Sequence, residues 1–420
     1  MARSIVSIAK GNDIERLVTE VLAPLGGVEA LIKTKSVVVI KPNAGHVGAP
    51  ETSINTNPKL VGALIKELRK AGPREIIVAE ASAVGCDTMD CLNASGILKA
   101  AEDASADKIV DIKSDKDLID IPIRDSKSAL TKVKLPRFLL EAEHIINLPI
   151  FKSHCSMVFT CALKNLKGVV QDKVHYQMHQ TDLTQAMMDL WTVFKADLNI
   201  ADLIRPAEGF GPHSTIPTDF GCLVAGKDPV AVDATICRMI GLGTKKIAYF
   251  EAARERGIGN CDEDLIEVRG KSIKEVFQLL WLPYLEGLEK YPEYSIDTSN
   301  ACSSCLSLVG LTMEKLKSLG EYEKNKDVRI FVGRKNEIPE GIDPYKVILF
   351  GDCLKKHRKR GIFVDGCPPL EPHPLWAIVD RKDQAGMDDD FRPRMAREEP
   401  VFKTHMEKLY KEYKEKEKGK

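Results

Sequence analysis

The chain has 420 residues, 44% of them apolar, enough for more than one buried core. Lysine plus arginine equals aspartate plus glutamate at 61 each, so no bulk charge favours nucleic acid or an anionic membrane, and neither is expected as a partner. No stretch reaches the roughly eighteen apolar residues of a spanning helix, and the N-terminal residues lack a signal-type apolar segment, so a cytoplasmic location is expected. The eleven cysteines are odd in number and scattered, unlike a secreted disulfide framework.

In chain order, short apolar runs alternate with amphipathic stretches, the pattern of an α/β fold with a largely parallel sheet flanked by helices. Residues 36–40 read as a strand ending at Lys41-Pro42-Asn43. The periodicity of residues 58–71 predicts a helix stopped by Gly72-Pro73. Strands follow at 75–79, closing at Glu80, and at 108–112, 144–150, 198–201 and 221–225. The last of these turns into a helix with Asp228 as N-cap and Pro229 at its first position. Residues 272–294 read as an aromatic-containing helix. Strands at 329–332 and 346–350 belong to a smaller cysteine-bearing α+β unit. From Phe402 onward the charge-dense tail reads as a solvated helix. The expected organisation is an α/β domain over 1–298, a cysteine domain over 299–380 and a charged tail over 381–420.

Several of the strands end in polar residues, and in open parallel sheets the ligand crevice lies beyond the strands' carboxyl ends. Lys41, Asn43, Lys152 and His154 are therefore site candidates. Within Thr160-Cys-Ala-Leu-Lys164-Asn165-Leu-Lys167-Gly168, a helix capped by Ser156 sets Thr160, Lys164 and Lys167 on one face. Such a stripe of cations beside Lys152 and His154 suits a phosphate or carboxylate; the alternative is a solvated basic face. Asp233 is the one charge among the nine residues 229–237 of an apolar helix, and a buried carboxylate needs a partner. The lysines are its expected partners, with Asp233 either acting in acid–base chemistry or forming a structural ion pair. Gly209 and Gly211 offer close backbone approach to an anion, and His175 with His179 offers a two-histidine face if helical.

The remaining motif is a cysteine quartet, Cys302, Cys305, Cys353 and Cys367, with a CxxC pair followed by two singletons in glycine- and proline-punctuated loops. Two similar CxxC knuckles would point to zinc, whereas dispersed ligands suit the four corners of a [4Fe–4S] cubane. Iron–sulfur is the leading expectation; a zinc staple and plain buried or redox thiols stay open.

Lys41-Pro42-Asn43, the run from Asn147 to His154, Leu163 to Gly168, Glu208 to Pro212 and Ala225 to Ala234 together resemble the domain of unknown function 362 family. The resemblance covers about residues 35–270 and implies the α/β fold and an association with iron–sulfur proteins. Many members carry Cys-x-x-Cys-x-x-Cys ferredoxin inserts; this chain has none, so a single centre is expected. The expected function is a redox enzyme acting on an anionic small molecule. In it Lys164, Lys167, Asn165, Lys41, Asn43, Gly209 and Gly211 bind substrate, while His154, Lys152 and Asp233 carry the chemistry. Two other classes remain: an electron-transfer partner with no chemistry of its own, and a non-redox enzyme with a structural zinc.

Overall fold

The computed structural model describes residues 3–128, 130–212, 214–334, 337–381 and 392–418. The larger sheet draws on β1 (Ser4–Lys10), β2 (Val37–Pro42), β3 (Glu75–Glu80) and β4 (Lys108–Asp111). A separate ribbon, β5 (Leu118–Pro122) with β6 (Lys132–Pro136), follows. The sheet resumes with β7 (His144–Leu148), β8 (Ile150–His154), β9 (Val158–Thr160), β10 (Leu198–Phe210), β11 (Ser214–Pro217), β12 (Cys222–Gly226) and β13 (Ile266–Gly270). Its order is β13-β1-β12-β10-β7-β2-β3-β4, with β8 and β11 paired to β10, and β9 to β8. Along that order only β12 runs antiparallel to its neighbours. The fold is the mixed α/β architecture expected, a large and mostly parallel sheet flanked by helices.

Central parallel strands are buried on both faces, and these strands are accordingly apolar throughout. Val38, Ile40, Val78 and Ile146 pack into the core on one side, while Val39, Ile77 and Ile145 pack into the core on the other. The helix Pro58–Arg69 behaves as its sequence predicts: the Asn57 side chain accepts from the Lys59 amide, Pro58 opens the first turn, and the chain leaves at Gly72 with φ +67°.

The smaller sheet is β14 (Ser295–Asp297), β15 (Arg329–Val332), β16 (Val347–Phe350) and β17 (Ile362–Val364), parallel throughout and in that order. The helix Ser303–Ser318 links β14 to β15, so this unit too is wired as α/β rather than with its strands and helices segregated.

Two expectations fail here. Residues 272–294 hold only a short helix, Ile273–Val276, and a 3-10 turn, Pro283–Leu285. Pro283 removes a donor from the middle of the expected helix, and the Trp281 amide is taken instead by Glu208 at 2.5 Å. The tail is helical over Arg392–Lys418, but it is not solvated all round. Phe402 and Met406 are 1% and 0% exposed and join a core with Phe210, Trp281 and Tyr284. Tyr410 and Tyr413 pack on Trp281 at 5.5 and 5.9 Å, and the Tyr410 hydroxyl donates to Glu208 at 2.7 Å. Among the described residues no helix is long and apolar enough to cross a membrane.

Candidate functional site

The chain leaves β2 for β3 on one side, and β7 returns to β2 on the other. This reversal opens a crevice at the carboxyl ends of the strands, the usual ligand position in such sheets. Lys41 and Asn43 reach it from β2, Glu80 from β3, and Lys152 and His154 from β8; Lys164 and Asn165 come from the short helix Ala162–Asn165, with Lys167 just after it. The crevice is small, about 80 Å³. Seven side chains chosen from sequence (Lys41, Asn43, Lys152, His154, Lys164, Asn165 and Lys167) meet there.

Their roles differ from one to the next. The Lys41 amine sits 2.7 Å from Glu80 Oε1, both side chains almost fully buried. Glu80 also accepts from the Ala44 and Ala81 amides. A Cβ on Gly168 would lie 2.7 Å from Glu80 and 2.8 Å from the Lys41 amine, so the Leu-Lys-Gly motif ends in glycine to clear this ion pair. Lys41 is therefore the crevice floor, with its charge already spent. Lys41→Met should lower unfolding stability by about 3–5 kcal/mol in urea titrations, because it strands a buried carboxylate. Asn165 is likewise occupied: its amide bonds Asn147 Oδ1 at 2.8 Å and accepts from Asn43 at 2.9 Å. Asn147 continues to Asn199 at 2.9 Å, a buried amide ladder that sequence reading missed and that pins the short helix to the sheet.

The free cations are the other lysines. Lys152 Nζ donates to Asn43 Oδ1 at 3.0 Å and to the Ile54 carbonyl. Lys167 Nζ meets His179 Nε2 at 2.6 Å, and among the described residues Lys164 Nζ has only Thr160 Oγ1 at 3.4 Å. Among the described residues lining the crevice, Glu80 is the sole carboxylate, and Lys41 neutralises it. Burial pushes Lys152 down to about 7, helped by repulsion from Lys164, and pushes Lys164 down to about 8. Lys167 falls well below the usual lysine range for the same reasons. His154 is held well below its ordinary value by burial and then by Lys164. Its Nδ1 accepts from the Ser156 amide at 3.1 Å, which assigns the proton to Nε2. His154 is thus a neutral donor at this site. His175 and His179 do share a helix, Asp172–Gln180, but His179 is engaged by Lys167.

Three expected site residues lie elsewhere. Asp233 does not meet the lysines: its two oxygens accept from the Ala162 and Leu163 amides at 2.8 and 3.1 Å. It caps the helix carrying Lys164, in place of the expected Ser156, and burial raises its carboxyl to about 7. Gly209 and Gly211 do not border the crevice either. A Cβ on Gly211 would fall 1.9 Å from the Ser153 carbonyl, and one on Gly209 would press on Met406 and the Ser214 carbonyl. These glycines let β10 approach its own neighbours, not an anion.

The four cysteines border a second cavity of about 430 Å³, together with Asp182 and Arg334. Cys302 is the N-cap of Ser303–Ser318, and Cys305 lies in its first turn. Cys353 opens the turn after β16, and Cys367 follows Gly366. The loops bearing these last two are cross-tied: the Asp352 amide donates to the Gly366 carbonyl at 3.0 Å, and the Gly366 amide to Asp352 Oδ1 at 3.1 Å. A hydrogen bond from Cys305, joined by helix N-terminal amides, lowers the Cys302 thiol to about 6, while the same contact and burial drive Cys305 well up. Among the described residues no group of three or more His, Cys, Asp or Glu side chains is placed to hold a single metal ion.

The fold is α/β, with a lysine-lined crevice at a switch point of its large sheet. Residues 38–238 match the family model Domain of unknown function (DUF362), and this part of the chain belongs to that family, as its motifs imply. The match contains every crevice lysine and ends before the four cysteines. A thylakoid-associated protein of Synechocystis sp. is 26% identical over 250 residues, 58% of this chain and 75% of that protein. Among solved structures, the lactate racemase apoprotein from Thermoanaerobacterium thermosaccharolyticum matches at TM-score 0.34 and 12% identity. That match spans 54% of this chain and about half, 55%, of the other.

Proposed function

We propose that this protein is a redox enzyme that binds an anionic small molecule in the lysine crevice and a [4Fe–4S] cluster through Cys302, Cys305, Cys353 and Cys367. The observation that carries the reading is the bordering of one cavity by four thiols from one helix start and two separate loops. A single zinc draws thiolates to about 2.3 Å from one point. Thiols spread around a cavity of about 430 Å³ suit a multi-atom core better. Such a core, when bound, supplies one-electron transfer.

The chain's own residues do the rest. Lys152, Lys164 and Lys167 hold the anion by charge-assisted hydrogen bonds, and His154 donates from Nε2. Lys152, titrating at about 7, is poised to give or take a proton at neutral pH. The two sites are joined by short stretches of chain. Met157, three residues past His154, lies 3.8 Å from the Ser304 hydroxyl, and Asp182, three past His179, borders the cysteine cavity. Anaerobically purified protein should be brown, bleach with dithionite, and give a cubane signal by electron paramagnetic resonance. Colourless protein carrying one zinc per chain would overturn the proposal in favour of a structural staple.

A further inference from the structure

His46, in the loop after β2, also lines the lysine crevice. Its Nδ1 lies 3.7 Å from the Cys86 sulfur. The backbone joins the two loops as well, since the Ala83 amide donates to the Gly45 carbonyl at 3.0 Å. Lys113 braces the second loop, donating to the Ala83 and Cys86 carbonyls at 3.0 and 2.8 Å. Cys86 is therefore held half-buried at the edge of the crevice by groups from separate segments.

A second sulfur stands beside it. The helix Thr88–Ala94 is capped by Asp87, whose side chain accepts from the Asp90 amide at 2.9 Å. Cys86 thus comes immediately before the N-cap, and Cys91 is the fourth helical residue. Side chains at these two positions pack together across a helix start. Here the packing is made, for Cys91 is fully buried in the core against which Cys86 packs. The Cys91 thiol donates to the Cys86 sulfur, and this bond, with burial, drives Cys91 well above the ordinary thiol range. Any apolar pair would serve the packing, yet both positions hold cysteine.

We infer that Cys86 and Cys91 form an oxidisable dithiol: peroxide reacts at Cys86, which His46 holds in place, and Cys91 resolves the product to a disulfide. In the first step the Cys86 sulfur attacks one peroxide oxygen and the O–O bond breaks. The second oxygen leaves as water with the thiol proton, and Cys86 becomes a sulfenic acid. In the second step the Cys91 sulfur displaces that hydroxyl, which leaves as water with the Cys91 proton, and the S–S bond forms. Two electrons pass from the sulfur pair to the peroxide. Access sets the order of attack, because Cys86 is half-buried whereas Cys91 is 0% exposed. The inference goes beyond the proposed function, and neither the bound anion nor the cysteine quartet takes part in it.

The test treats the full chain with hydrogen peroxide, blocks the remaining thiols with N-ethylmaleimide and cleaves the chain before Asp87 and Asp90. That cleavage separates Cys86 from Cys91, so a bond between them appears as linked fragments by mass spectrometry. Linked fragments are expected in the treated parent and should vanish on reduction. Cys91→Ala should instead leave a Cys86 sulfenic acid that dimedone traps, and Cys86→Ala should leave Cys91 unoxidised. His46→Ala should slow oxidation of Cys86 about fivefold, the worth of one neutral hydrogen bond. Both fragments fully alkylated in the treated parent, Cys86 linked to a different cysteine, or dimedone captured at Cys91 in C86A would overturn the inference. An unchanged rate in H46A would overturn the part given to His46. Because the readout is specific to two residues, oxidation of the quartet neither mimics nor masks it.

Discussion

Lys164→Met yields a protein more stable than the parent by about 0.5–2 kcal/mol, and one that binds sulfate about 10- to 100-fold more weakly. Both effects have one cause. Among the described residues the Lys164 amine has a single long hydrogen bond and no facing carboxylate, so the folded protein carries a cation it does not need for its own cohesion. Charge kept against stability is the mark of a binding site. The pH dependence separates this from a nonspecific effect. The unfolded chain keeps its lysine protons up to about 10.5, whereas in the folded chain Lys152 and Lys164 release theirs near 7 and 8. Between those limits the unfolded state binds more protons, so stability of the empty protein rises as pH climbs from about 7 to about 10.5. The advantage of the methionine variant is accordingly full below pH 8 and fades toward 10.5. Sulfate affinity runs the other way, tightening as pH falls through 8 and 7, with proton uptake measurable by calorimetry in two buffers. Removing Lys164 also relieves Lys152, whose midpoint should move upward. An anion affinity flat from pH 6 to 9 would refute the crevice as the binding site.

Cys305→Ala should drop iron and acid-labile sulfide to less than about a tenth of the parent's content. Loss of even an outer-shell partner of a metal ligand costs roughly 10- to 100-fold in affinity, and a ligand itself costs more. Cys155→Ala is the matched control. Its thiol is also buried, but it points to Glu371 at 3.4 Å and borders no part of the cysteine cavity, so iron should stay at the parental level. Equal iron loss in both variants would mean a folding defect, and equal retention would remove Cys305 from the ligand set. The C305A protein should still bind sulfate, since the crevice is lined by residues between Lys41 and Pro212 and its ion pair does not involve the smaller sheet.

The crevice was legible because its lysines and asparagine sit at strand ends or on a motif whose spacing reveals one helix face. What sequence hid was which of them were spoken for. Lys41 looks like Lys152 in sequence, and only the pairing of β2 with β3 brings Glu80 against it. Asp233 was recognised as a buried carboxylate in need of partners, but backbone amides are invisible to side-chain pattern reading, and two of them cap its charge. Gly209 and Gly211 followed the rule that paired glycines admit close approach; they do, toward Ser153 and Met406. The tail was misread through its composition. Phe402, Met406, Leu409 and Tyr413 recur at spacings of four, three and four, a narrow apolar seam overshadowed by the surrounding lysines and glutamates.

That seam bears on how the chain matures. Glu208, near the end of β10, receives the Trp281 amide and the Tyr410 hydroxyl, groups contributed from far downstream. Until the ribosome has released the segment around residue 410, this interior carboxylate lacks one of its donors and Trp281 lacks its cover. The large sheet therefore cannot reach its final state domain by domain during synthesis. Its last step waits on the helix Arg392–Lys418, and products cut short before that helix carry an unfinished interior that proteases and chaperones can recognise.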